Sequence, residues 1–139
     1  MSHATAYAHR RRSRAAHADA LAATRAALAA EGFGVLWEVD VQATLAAKLG
    51  ATRDPYVILG ACNPPLAQRA LELEPDLGVL LPCNVAVYVA DGATVVSAVA
   101  ADEMLGMVGN PALEPIAREV AERLDRVLTR VCEADPSRG

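Results

Sequence analysis

Residues 79–100, VLLPCNVAVYVADGATVVSAVA, decide the fold. Apolar residues alternate on both sides of Asp91-Gly92, a dipeptide that favours a two-residue hairpin turn. Cys83, Val85, Val87 and Val89 share one face of the first arm; Asn84, Ala86 and Tyr88 share the other. The first arm, 79–89, is the longest strand in the chain, and TVVSAVA is its antiparallel partner. Pro82 cannot donate to a ladder, which puts an edge, a strand start or a bulge there. Asn84 is disfavoured in a strand, and such violations tend to fall at functional or strained positions.

Working upstream, Tyr56 to Ala61 (YVILGA) reads as a short apolar strand. Asn63 then suits a helix cap and Pro64 a first helical position, opening a helix over LAQRALEL that ends at a turn through Pro75, Asp76 and Gly78. Residues 33–41, FGVLWEVDV, alternate again. Val35, Trp37, Val39 and Val41 are expected on one face, with Leu36, Glu38 and Asp40 on the other. QATLAAKLG suits a short helix stopped by Gly50. Residues 15–31 read as an alanine-rich helix closed by Gly32, with Phe33 as the apolar residue beyond the cap.

Downstream, 102–107 forms one helical turn, and Asn110-Pro111 opens the final helix. Leu113, Ile116, Ala117, Val120, Leu124, Val127, Leu128 and Val131 follow the 3, 4, 7 spacing of a buried stripe. Glu119–Arg123 and Glu122–Arg126 are favourable i,i+4 pairs. Asp135-Pro136 ends the helix. The order is helix, four strands, helix, with small helices between the middle strands. No repeat or linker interrupts it, so 15–134 is expected to be a single α/β domain.

The chain has 139 residues, 13 Lys+Arg and 17 Asp+Glu, a net charge of −4 and a pI near 5.3. That size suits one domain. The acidic balance argues against a nucleic-acid partner. Three cysteines are too few for a disulfide-stapled module. No run of 18 apolar residues exists, so no membrane span is expected. His17, Asp19 and Arg25 interrupt the apolar stretch that an export signal needs, which places the protein in the cytoplasm. The start is basic, with Arg10, Arg11, Arg12 and Arg14. Residues 1–14 are expected to be a solvated, disordered segment, or a weak first strand over 4–10. The spacing of His3, His9 and His17 fits no metal site.

Few residues suggest chemistry. Cys62 stands at a strand end before a helix start, where amides and the helix dipole lower a thiol pKa. A small buried residue is the simpler reading of the same position. Cys83 approaches it if their strands are neighbours. Glu38 and Asp40 share a strand face, where carboxylates serve acid–base work or a metal, but are more often simply solvated. Lys48 is the only lysine. Phosphate-binding glycine loops, nucleophile elbows and H-E-x-x-H are absent from the sequence. No catalytic constellation assembles, and no cofactor or resident metal is expected.

The stretches EGFGVLWEVDVQATLAAKLG, YVILGACNPPLAQRALELEPDLGVLLPCNVAVY and MLGMVGNP resemble the bacterial and archaeal family called domain of unknown function 302. The resemblance spans about residues 17–131. It implies an α+β, two-layer sandwich of the TATA-binding-protein-like β-α-β4-α type, with a mostly antiparallel sheet and two main helices on one face. It also implies homodimers. The family motif falls on Gly60, Ala61, Cys62, Asn63, Pro64 and Pro65, and on Pro82, Cys83 and Asn84; Glu31, Gly32, Phe33, Gly34, Asp40 and Lys48 match as well. This chain departs at its start, where ATAYAHRRRSRAA replaces the usual alternating strand and helix cap.

The expected function is a homodimeric ligand-binding or interaction module. Its candidate site comprises Cys62, Asn63, Pro64, Pro82, Cys83 and Asn84, with Glu38, Asp40 and Lys48 as further binding candidates. The alternative is a thiol-based redox or sulfur-handling protein in which Cys62 reacts and Cys83 resolves. A weaker alternative binds a metal or haem through Cys62, Cys83, Glu38 and Asp40.

Overall fold

The computed structural model describes residues 3, 4 and 6–132. Six strands form one sheet: β1 (His3–Ala4), β2 (Ala8–Ser13), β3 (Gly34–Asp40), β4 (Tyr56–Cys62), β5 (Cys83–Ala90) and β6 (Ala93–Val99). Their order is β1-β2-β6-β5-β4-β3, and every neighbouring pair is antiparallel. The helices are α1 (His17–Ala30), α2 (Val41–Leu49), α3 (Pro64–Leu73), α4 (Ala101–Gly106) and α5 (Glu114–Cys132). Short 3-10 turns occupy 75–79 and 111–113.

The hairpin forms where its sequence demands. Ala90 pairs with Ala93, and Asp91 and Gly92 take φ values of 52° and 75°, the double left-handed bend of a type I′ turn. β5 starts at Cys83 rather than at Val79, because residues 75–79 coil into a 3-10 turn. Pro82 thus precedes the ladder, one of the places a residue without an N–H can stand.

One face of the sheet carries the core. Val57, Leu59 and Ala61 of β4, Val85 and Val87 of β5, and Val96 and Ala98 of β6 are buried there against Ala20, Ala27 and Leu28 of α1. The stripe of α5, from Ile116 to Leu128, completes the layer. The architecture is therefore an α+β two-layer sandwich with an open sheet. Among the described residues, no helix is long and apolar enough to cross a membrane.

Gly32 closes α1 with φ +84°, and the Phe33 amide donates to the Leu28 carbonyl at 2.9 Å, as in a Schellman cap. Asn63 caps α3 and Asn110 caps the 3-10 turn that leads into α5. The N-cap of α1 is Ala16, which offers no side-chain acceptor, matching the missing cap in the sequence.

Three expectations need correction. Of the two readings of the start, the strand is the one that forms, over Ala8–Ser13 and not 4–10: this β2 is paired with β6 from Ala8↔Val99 to Ser13↔Thr94. Alternation splits its arginines. Arg11 faces the helices and donates to Asp125 at 2.8 Å and Thr129 at 2.7 Å, while Arg10 and Arg12 face the other way. Second, β3 does not alternate cleanly. A bulge between Val35 and Trp37 keeps Val35 beside Ala61 but turns Trp37 and Val39 to the open face, and Val41 belongs to α2. Third, Arg126 pairs with Glu31 at 2.9 Å rather than with Glu122. The α1 terminus brings a carboxylate within its reach, and the Glu119–Arg123 pair forms as expected at 2.9 Å. His17 Nε2 hydrogen-bonds the Val87 carbonyl at 2.9 Å. The Asp135-Pro136 stop and the domain end at 134 lie outside the described residues.

Candidate functional site

The two motif segments come together because β4 and β5 are neighbours. Ala61 stands opposite Cys83 and Gly60 opposite Asn84. Cys62 and Cys83 line the same small cavity with Asn63, Pro82, Phe33 and Leu66. Its volume is about 30 Å³, enough for a water molecule and too little for an organic ligand. Both thiols are unbridged; Cys62 is half-buried and Cys83 buried. Asn63 is buried, and its Oδ1 accepts from the Leu66 amide at 3.3 Å, which starts α3. Pro64 and Pro65 are exposed in the first turn of that helix.

Burial, and after it the neighbouring Cys62, push the Cys83 thiol up from 9.0 to about 11. At neutral pH it is a thiol and a poor nucleophile. This makes stability fall at alkaline pH. Below about pH 9 Cys83 keeps its proton whether folded or unfolded. Between about 9 and 11 only the unfolded thiol ionises, so the contribution is lost as pH rises, by roughly 2–3 kcal/mol. Urea midpoints taken across that window should drop for the wild type, and Cys83→Ala should flatten the decline.

The remaining candidates lie elsewhere and hold structure. Glu38 accepts from Nε and Nη2 of Arg25 at 2.7–3.0 Å, tying β3 to α1. Asp40 caps α2 by accepting from Ala43 at 2.9 Å. Lys48 is exposed in the last turn of α2, where its charge complements the helix dipole. Glu38 and Asp40 sit toward the far end of the strand pair from Cys62, opposite Leu59 and Val57. The structure therefore does not bring these carboxylates to the thiols. Among the described residues, no group of three or more His, Cys, Asp or Glu is arranged to hold a metal.

What the sequence pattern missed is the open face. The register places Trp37, Gly60 and Asn84 in one row, Val39, Ile58, Ala86, Ser97 and Arg10 in the next, and Tyr56, Tyr88, Val95 and Arg12 in a third. Trp37 is 40% exposed and its indole lies directly over Gly60. A methyl group at Gly60 would meet indole carbons at 2.7 Å, so this glycine exists for close approach. Tyr56 and Tyr88 stack with centroids 5.0 Å apart. Arg53 lies over the Tyr56 ring at 4.9 Å, and Arg10 donates to the Tyr88 hydroxyl at 3.3 Å. No Asp, Glu or Lys stands in these three rows. Misplacing Trp37 at the bulge hid the face; the paired aromatics at 56 and 88 were the signal that could have shown it.

A larger cleft of about 1020 Å³ runs between β2, α4 and α5. Leu113, Ala117 and Ala121 line its base. Arg11 and Arg118 on its walls are neutralised by Asp125 and Glu114. It joins residues far apart in the chain and has no sequence signature.

A family model described as "Domain of unknown function DUF302" matches residues 9–131. The solved structures include an uncharacterized conserved protein DUF302 from Bacillus stearothermophilus. It is 32% identical to this chain, the match covers 89% of this chain and 97% of that one, and the TM-score is 0.85. No curated protein matches.

Proposed function

This chain belongs to the DUF302 family, and from that premise we propose that it is a homodimeric interaction module without catalysis of its own. The observation that carries the reading is the open sheet face. Its large side chains are Trp37, Tyr56, Tyr88 and Ile58, and its charged groups are Arg10 and Arg12, with Arg53 over Tyr56. Aromatic residues and arginine, without lysine or carboxylates, are the composition of a protein interface core. Five strands about 4.8 Å apart and about seven residues long give a face of roughly 24 by 24 Å. With side-chain relief this approaches the ~800 Å² per partner of a standard interface. The motif reaches this surface through Gly60 and Asn84. The cavity behind Cys62 is too small for an organic ligand, so the motif's own contribution is to the sheet face and not to a small-molecule pocket.

The partner in this reading is a second copy. Absence of disulfides among the described cysteines fits a reducing compartment, the cytoplasm. Sedimentation over a range of concentrations tests the proposal. A reversible monomer–dimer equilibrium is expected, and a monomer throughout the micromolar range overturns it.

A second reading treats the protein as a thiol-based redox or sulfur-handling module. It is favoured by one observation, the convergence of Cys62 and Cys83 on the same cavity.

A further inference from the structure

We propose that the cleft between β2, α4 and α5 is a binding site for an aliphatic diamine or polyamine. Its volume of about 1020 Å³ is that of a small-molecule site. The floor is apolar: Leu105, Leu113 and Ala117 are buried and Ala121 is half-buried. The cleft lies on the helix side of the sheet, where Arg11 reaches α5. It therefore stays open whether or not a second copy covers the other side, and the inference is independent of the proposed association.

The charges on the walls choose the ligand. Arg11 is held by Asp125 at 2.8 Å, Arg118 by Glu114 at 2.6 Å and Arg126 by Glu31 at 2.9 Å. Arg10 borders the cleft, but its guanidinium donates to Tyr88 on the open face. Asn110 is committed to Glu74 and to the Ala112 amide. Two carboxylates are left over. Among the described residues, Asp102 of α4 and Glu122 of α5 have no ion-pair partner, although Glu122 lies in the field of Arg126. His9 has no hydrogen-bond partner for its ring among these residues, and strand alternation puts it on the side of Arg11. An anion would have to displace a bonded carboxylate to reach an arginine, whereas a cation finds free acceptors. The spare carboxylates stand on different elements, so a ligand that uses both carries two positive groups on an apolar spacer. Ammonium groups joined by methylenes have that pattern. Each head takes a carboxylate or the His9 ring, and the methylenes lie on the floor as a lysine stem lies on apolar surface. A bare metal ion leaves the floor unused, and no group of three ligating side chains is placed to hold one among the described residues.

The test titrates the full chain by calorimetry with spermidine, putrescine, butylamine and magnesium chloride at matched ionic strength. Saturable binding is expected, strongest for spermidine, weaker for putrescine and weakest for butylamine, with none for magnesium. Asp102→Asn and Glu122→Gln should each weaken spermidine about fivefold, the effect of one partly screened charge. Both side chains are exposed, so neither change disturbs the core. Arg118→Gln releases Glu114 and should tighten binding by a similar factor. Glu72→Gln removes an exposed carboxylate of α3 outside the cleft and should change nothing. Absence of saturable spermidine binding below about 1 mM overturns the proposal. So does binding that magnesium matches, or that Glu72→Gln weakens as much as the two cleft variants. Either result would report the chain's net charge of −4 and not the cleft.

Discussion

If the chain dimerises through its open sheet face as proposed, Trp37→Glu should give a folded monomer. The indole lies flat over Gly60 near one edge of the open face and remains 40% exposed in the isolated chain. Contact with a second copy would bury the rest. Tryptophans in such positions are worth about 2–4 kcal/mol of binding, which raises Kd by roughly 30- to 1000-fold. Glutamate adds the cost of placing a carboxylate in an apolar contact. The indole lies on the side of the sheet away from α1 and α5, so the core survives. Sedimentation should show a monomer, while circular dichroism and the urea midpoint stay near wild type. Trp37→Phe should retain most of the association. A glutamate variant that still dimerises with wild-type affinity would remove this face from the interface.

Leu59→Ala should cost about 3–4 kcal/mol of stability, near the middle of the range for large-to-small core changes. Leu59 is fully buried and stands on the helix side of β4, between Glu38 on β3 and Val85 on β5. Strands are stiff neighbours and the helix layer rests on both of them, so the space left by the isobutyl group cannot close easily. The urea midpoint should fall with little change in the slope of the transition. A loss under about 1 kcal/mol would mean that the layer repacks around the site. Together the two substitutions separate the faces of one sheet, since Leu59 bears on folding and Trp37 on the proposed association.

Elements whose signals are local were legible in the sequence. Asp91-Gly92 specifies its own backbone, Asn63-Pro64 specifies a helix start, and the α5 stripe buries every residue from Ile116 to Leu128 that its spacing marks. Elements that depend on partners were not. Arg10 to Arg12 look like a polar tail until β6 supplies the ladder and Asp125 supplies a counter-charge. Glu31 is far in sequence from Arg126, so their bond is invisible to an i,i+4 rule. The adjacency of Cys62 and Cys83 follows from the order of β4 and β5, and the motif suggested it. The structural work of Glu38 and Asp40 required the positions of Arg25 and α2.

The bulge in β3 has a consequence best put as parity. Ahead of it, an odd-numbered residue, Val35, faces the helices; behind it, odd-numbered Trp37 and Val39 face outward. Leu36 is the extra residue that makes the exchange, and it is largely exposed. Deleting it restores strict one-to-one pairing and leaves Val35 opposite Ala61, Trp37 opposite Gly60 and Glu38 opposite Leu59. The inserted residue thus changes which numbers face which way in this edge strand, while the pairing on either side of it keeps the aromatic and the charged side in place.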